Sequence, residues 1–177
     1  MATSSLLFVF FLSTHTLFLT INASPMDDVC NQTNNPPLCI KSIDFNEKVK
    51  NEPLENIPKI AVELSHYTAS TTETNIESLS KKATDPNVKA HYDVCVKIYN
   101  GTILPMFKAT KVDLTAKRYT DVEKKSGDII AGVTNCEAEF VKGSPWNEDS
   151  AVVGVLVDAL RVAAKLLAKK KMYYLGY

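Results

Sequence analysis

The sequence predicts an all-α protein, most simply an up-down-up-down four-helix bundle with a small helical hairpin at its N-terminal end. Three observations carry this. Tyr119, Val122, Ser126, Ile129, Val133, Cys136 and Phe140 recur at alternating steps of three and four, which places them on one narrow seam of a helix. Three further long segments are amphipathic at helical period, and no stretch reads convincingly as a strand. All four cysteines, Cys30, Cys39, Cys95 and Cys136, follow an apolar leader, and an even count in a secreted chain argues for two disulfides.

The leader is read from two apolar runs, Leu6 to Leu12 and Leu17 to Ile21, ahead of the first charged residue, Asp27. This predicts a secretory signal peptide over residues 1–23, cut after Ala23, and one domain over 24–177. Ser13, Thr14, His15 and Thr16 interrupt the apolar stretch, which falls short of the ~20 residues a membrane span needs, so no membrane association is expected after cleavage. Twenty basic residues balance twenty acidic ones. No net charge draws the chain toward nucleic acid or anionic lipid.

Taken in order, Cys30 and Cys39 flank the turn sequence Asn34-Asn35-Pro36-Pro37. A local disulfide closing a helical hairpin is the simplest product, although four cysteines permit three connectivities. Residues 46–56, with Pro53, read as a connection. From Leu54 to about Lys82 an amphipathic helix is expected, with Pro58 tolerated in its first turn. Ile57, Ile60, Ala61, Leu64, Tyr67, Thr71 and Leu79 form its apolar face, and Lys59, Glu63, His66, Ser70, Glu73, Glu77 and Lys81 the opposite one. Asp85 and Pro86 signal the next helix start. Its buried stripe is Val88, Tyr92, Cys95, Tyr99, Thr102 and Met106, with a kink or early end near residue 104 from Gly101 and Pro105, and Val112 to Thr115 as the link onward.

The seam helix is expected to stop near Gly143-Ser144-Pro145, with Trp146 packed over the end of the bundle. A last helix should run from about Asp149 to Lys170, where Asp158, Arg161, Lys165 and Lys169 make a polar stripe that excludes a membrane span. The tail from Lys169 to Tyr174 reads as a solvated end. Cys136 lies inside the seam, so its natural partner is an inward cysteine on a neighbouring helix, and Cys95 fits.

Motifs for chemistry are missing. His66 and His91 are the histidines beyond the leader, and neither stands in an arrangement diagnostic of nucleophilic catalysis. No Gly-x-Ser-x-Gly, His-Glu-x-x-His, phosphate-cradling glycine loop or dinucleotide fingerprint occurs. His66 reads as an ordinary exposed histidine. Without Cys-x-x-Cys or clustered histidines no metal is expected, and no cofactor either. Asn31-Gln32-Thr33 and Asn100-Gly101-Thr102 are glycosylation acceptors by sequence, Asn100 the better exposed of the two because it lies off the Cys95–Tyr99 stripe.

The layout resembles the plant invertase and pectin methylesterase inhibitors over essentially the whole chain after the leader. The carrying residues are Cys30-x8-Cys39 with Pro36, the run His91-Tyr92-Asp93-Val94-Cys95-Val96-Lys97-Ile98-Tyr99, and Ser126 through Thr134-Asn135-Cys136-Glu137-Ala138-Glu139-Phe140. The resemblance implies disulfides Cys30–Cys39 and Cys95–Cys136, the hairpin and bundle, and secretion to the cell wall, the apoplast, ahead of the vacuole. It also implies a noncatalytic monomer that blocks a carbohydrate-active enzyme by forming a 1:1 complex over the substrate cleft. Some invertase inhibitors of the family open the helix ending at the last cysteine with Pro-Lys-Phe, where this chain has Lys117-Arg118-Tyr119. The missing proline favours pectin methylesterase over acid invertase as the partner. The family's habit of presenting bundle helices to the cleft makes Lys59, Glu63, His66, Ser70, Glu73 and Glu77 the expected partner-binding face. A secreted helical carrier of a small apolar ligand, and a structural or allergen-like wall protein, are the alternatives from other classes.

Overall fold

Ser24 and Asp27 build a reciprocal cap: the Asp27 N–H donates to Ser24 Oγ at 3.1 Å, and the Ser24 N–H donates to the Asp27 carboxylate. In this computed structural model, which describes residues 24–43, 49 and 51–175, that cap starts helix α1 (Pro25–Cys30), and Pro36 starts α2 (Pro36–Ile43). The leader expected over 1–23 and the first part of the connection expected over 46–56 lie outside the described residues. Cys30 and Cys39 are joined with their Cα atoms 5.4 Å apart, so α1 and α2 form the disulfide-linked hairpin.

Helix α3 (Ile57–Lys82) has Pro58 in its first turn. Its buried face is Ala61, Val62, Ser65, Ala69, Thr72, Ile76 and Ser80, whereas Tyr67 is 74% exposed and Thr71 is exposed. The expected apolar face is therefore turned: Tyr67 and Thr71 leave it, and Ile60, Leu64 and Leu79 are only half-buried at its margins. The reason is that Ser65 and Thr72 return their hydroxyl hydrogens to the carbonyls of Ala61 and Thr68, at 2.6 and 2.9 Å. A hydroxyl satisfied within its own helix packs as a small apolar group, and small side chains let a neighbouring helix come close.

Asp85 caps α4 (Pro86–Ile98) by accepting from the Asn87 N–H at 2.8 Å. The chain then passes through a π turn, Tyr99–Ile103, straight into α5 (Leu104–Thr115). Gly101 thus marks a bulge inside one long helical rod, and helix continues through Val112–Thr115, leaving residues 116–118 as the link. The wider turn takes up one extra residue. Beyond it the buried stripe is Tyr99, Ile103, Phe107, Thr110 and Asp113, while Thr102 and Met106 of the expected stripe are half-buried and Val88 is exposed.

Helix α6 (Tyr119–Glu137) buries Val122, Ser126, Ile129, Val133 and Cys136 of its seam, with Tyr119 half-buried at the start. It ends at Glu137, six residues ahead of the expected Gly143, because the Glu137 carboxylate accepts from Ser144 Oγ (2.8 Å) and Ser150 Oγ (2.6 Å) and folds the loop back. Phe140 leaves the helix to meet Tyr92 and Trp146, with ring centroids 5.6 and 5.1 Å away. Trp146 itself is 4% exposed and covers this end of the bundle.

Helix α7 (Asn147–Leu175) runs past both expected limits. α3, the α4–α5 rod, α6 and α7 pack as a ring, each on its chain neighbour and α7 closing against α3, which is the up-down-up-down four-helix bundle. Cys95–Cys136 joins α4 to α6 inside the main core, with Cα atoms 4.9 Å apart. The hairpin sits against α7, where Met26, Val29 and Ile43 bury with Ile57, Leu156 and Ala159 in a second core. Asp158 belongs to that junction. It is 2% exposed, takes the Arg161 guanidinium, and accepts the Asn34 N–H at 2.8 Å, so it leaves the solvated stripe expected for α7.

Candidate partner-binding face

Lys59, Glu63, His66, Ser70, Glu73 and Glu77 descend one edge of α3, and the structure sets several of them against the α4–α5 rod. Lys111 of α5 donates to Glu63 Oε2 at 2.7 Å and to His66 Nδ1 at 3.1 Å. An ammonium can only donate, so Nδ1 accepts and the imidazole is neutral. The ring lies 5.4 Å from Phe107, and burial together with the nearby Lys111 charge holds the His66 pKa below its ordinary value, Glu63 acting the other way. His66 is half-buried rather than the ordinary exposed histidine of the sequence reading. Further along, Asn100 Nδ2 donates to Glu73 Oε1 at 2.8 Å, and Glu77 pairs with Lys81 on its own helix.

Lys59 and Glu63 are exposed and, with Lys111, Leu114 and Tyr119, line a cleft of about 260 Å³ at the α3–α5 end of this edge. The edge is therefore a ridge of polar and charged groups, with Glu63, His66 and Glu73 bonded across to the α4–α5 rod.

The Lys117-Arg118-Tyr119 corner is built differently. Lys117 has φ 53°, the left-handed turn that lets α5 fold over into α6. Arg118 donates through Nε to Asp113 at 2.9 Å, Lys125 joins the same carboxylate, and Asp113 is 4% exposed. Burial alone would raise the Asp113 pKa, but the hydrogen bonds from Lys125 and Arg118 outweigh it and hold the carboxyl below the usual range. Tyr119 packs on the core, while Lys117 and Arg118 are exposed.

Of the glycosylation acceptors, both Asn31 and Asn100 are exposed. Thr33 of the first is buried and donates to the Cys30 carbonyl. His91 pairs with Glu139 at the surface, 2.9 Å away. Among the described residues no group of three or more His, Cys, Asp or Glu is placed to hold a metal ion, and no helix is long and apolar enough to cross a membrane.

Sequence reasoning missed Phe107, Lys111 and Asp113. Phe107 and Lys111 lie beyond the π turn, and an uninterrupted helical count leaves them about 120° and about 160° round from Cys95; deleting one residue from the count at Gly101 brings both toward the Cys95 side. Asp113, five full turns from Cys95, falls on the stripe by the uninterrupted count and was passed over because Val112 to Thr115 read as a link.

The described residues form a helical bundle fastened by two disulfides, with a polar ridge along one edge of α3. The sequence pattern of the plant invertase/pectin methylesterase inhibitor family matches residues 24–168, and the chain belongs to that family. Among curated relatives, a pectinesterase inhibitor of Actinidia deliciosa is 27% identical over 120 residues, which are 68% of this chain and 64% of the relative. The match thus spans just under two thirds of that protein. Pectinesterase inhibitor 2 of Arabidopsis thaliana is 26% identical over 123 residues, 68% of this chain and 70% of the relative. The fold is shared with two crystal structures of pectin methylesterase inhibitors from Arabidopsis. A mutant form gives a TM-score of 0.71 at 19% identity, covering 81% of this chain and 97% of that one. A second gives 0.63 at 20% identity, covering 83% and 98%.

Proposed function

We propose that this chain is a secreted, noncatalytic inhibitor of pectin methylesterase, working in the cell wall as a monomer that forms a 1:1 complex over the enzyme's substrate cleft. The observation that carries the reading is that both curated relatives, from Actinidia deliciosa and Arabidopsis thaliana, are named pectinesterase inhibitors. Acid invertase is the second candidate target for a member of this family. The Lys117-Arg118-Tyr119 corner lends it little support, because Arg118 and Tyr119 are occupied in holding the α5–α6 corner.

The contact surface we assign is the ridge of Lys59, Glu63, His66, Ser70, Glu73 and Glu77 together with Lys111 beside it. Groups at the centre of a protein interface cost about 1–3 kcal/mol when disrupted, while exposed changes leave fold stability nearly untouched. The test is titration of the disulfide-intact protein against purified plant pectin methylesterase and, separately, acid invertase. Ser70→Glu is expected to weaken inhibition of pectin methylesterase by about ten- to a hundredfold with little change in melting temperature, and His66→Glu to weaken it by a similar factor while also lowering the melting temperature, because the ring it replaces packs on Phe107. Inhibition of invertase alone would reassign the target. Full inhibition by both variants would move the contact surface off α3.

A further inference from the structure

On the other side of α3 from Lys111 the hairpin does not close fully onto the bundle. Leu38 and Ser42 of α2, Leu64 and Tyr67 of α3, and Val152 and Leu156 of α7 line a cleft of about 600 Å³. That volume falls in the range of small-molecule sites, which are apolar hollows with a few placed polar groups. Two features say what such a molecule would be. Ser42 is 7% exposed and its Oγ is buried without a hydrogen-bond partner among the described residues, a state that costs free energy and that a ligand hydroxyl relieves after a turn about the serine χ1. The lining also holds one cation and one anion, Lys41 and Glu148, neither in an ion pair among the described residues. The lining thus carries no excess of either sign, so nothing in its net charge selects a charged molecule.

We infer that this cleft is a binding site for a small neutral molecule with an apolar body and one hydroxyl group. It is separate from the polar ridge, and the inference does not rest on the identity of the inhibited enzyme.

The probe is 2-naphthol, titrated into the disulfide-intact protein and followed by backbone-amide NMR shifts, with naphthalene, 2-naphthoate and 2-naphthylmethylammonium as comparisons. Saturable shifts at Leu38, Ser42, Tyr67 and Val152 are expected with 2-naphthol, and weaker binding of both charged analogues. Ser42→Ala removes an unpartnered hydroxyl, so the fold should persist while 2-naphthol affinity drops about fivefold toward that of naphthalene. Ala151→Phe, at an exposed position on the cleft wall, should fill it and abolish binding. The inference is overturned if the cleft amides do not respond, if either charged analogue binds as well as 2-naphthol, or if Ser42→Ala leaves the affinity unchanged.

Discussion

His66 and Asp113 are two titratable groups on one helix pair whose responses to acid differ. His66 has a folded pKa below the ordinary value near 6.5, because burial and Lys111 oppose its charged form. Above that value both folded and unfolded chains hold it neutral. As pH falls through about 6.5 the unfolded chain takes up the proton first, so stability is lost from there down to the folded pKa. The melting temperature should therefore decline as pH falls below about 6.5, and that of His66→Gln, which keeps an acceptor for Lys111, should decline less. Equal slopes for the two proteins would show that the histidine is not the group responsible. Asp113 also has a depressed pKa, and for a carboxylate this means stability that is present above about 3.9 and lost only as pH falls through the folded value. Asp113→Asn should cost about 2 kcal/mol in denaturant titration at neutral pH. That is less than breaking a fully buried ion pair, because Arg118 and Lys125 are partly exposed and can turn to water.

Among the elements, the α4–α5 rod is the one whose register depends on a single residue. Its buried stripe steps by four through Cys95, Tyr99, Ile103 and Phe107, which in an unbroken α-helix would drift about 40° per step and carry Phe107 about 120° round from Cys95. Removing Gly101 would convert the π turn to α-helix and leave the same side chains at steps of four and three, still facing the core. A Gly101 deletion should therefore fold with an unchanged or higher melting temperature, whereas deleting Ala109, where no surplus residue exists, should unfold the protein. Circular dichroism melts of the two deletions decide it, and equal damage would refute the register account. The same turn brings Ile103 against α6, where Gly132 leaves room: a Cβ there would lie 2.9 Å from Ile103 Cγ1. Helix existence was legible from Pro58, Asp85 and the seam of α6, since caps and periodicity are local properties. The rotation of α3 was not, because Ser65 and Thr72 count as polar in a sequence and behave as small core residues once their hydroxyls bond backward.

For the molecule as a whole, two cores are each closed by one disulfide, and the loops they span differ. Cys95–Cys136 encloses a separation of 41 residues and Cys30–Cys39 one of 9. By loop entropy the first is worth about 4 kcal/mol and the second about 2.5 kcal/mol. The paired change Cys95→Ser with Cys136→Ser should thus lower unfolding free energy by more than Cys30→Ser with Cys39→Ser, and chemical denaturation of both measures the difference. The reverse order would mean that the hairpin carries more of the fold than its size suggests. The ring of four helices could be read from the sequence because each segment announces its own period, but the docking of the hairpin could not. That docking passes through Asp158, which by spacing belongs with Arg161, Lys165 and Lys169 and acquires its role only when the Asn34 amide arrives from a distant part of the chain. Asn100 carries a consequence of a different kind. Its side-chain amide is bonded to Glu73, and its backbone is wound into the π turn, so the folded chain does not offer that nitrogen on an extended segment that a glycosyltransferase can bind. Any sugar found there was attached before the rod closed, and the fraction of molecules that carry it would serve as a clock for how long this helix stays open after synthesis.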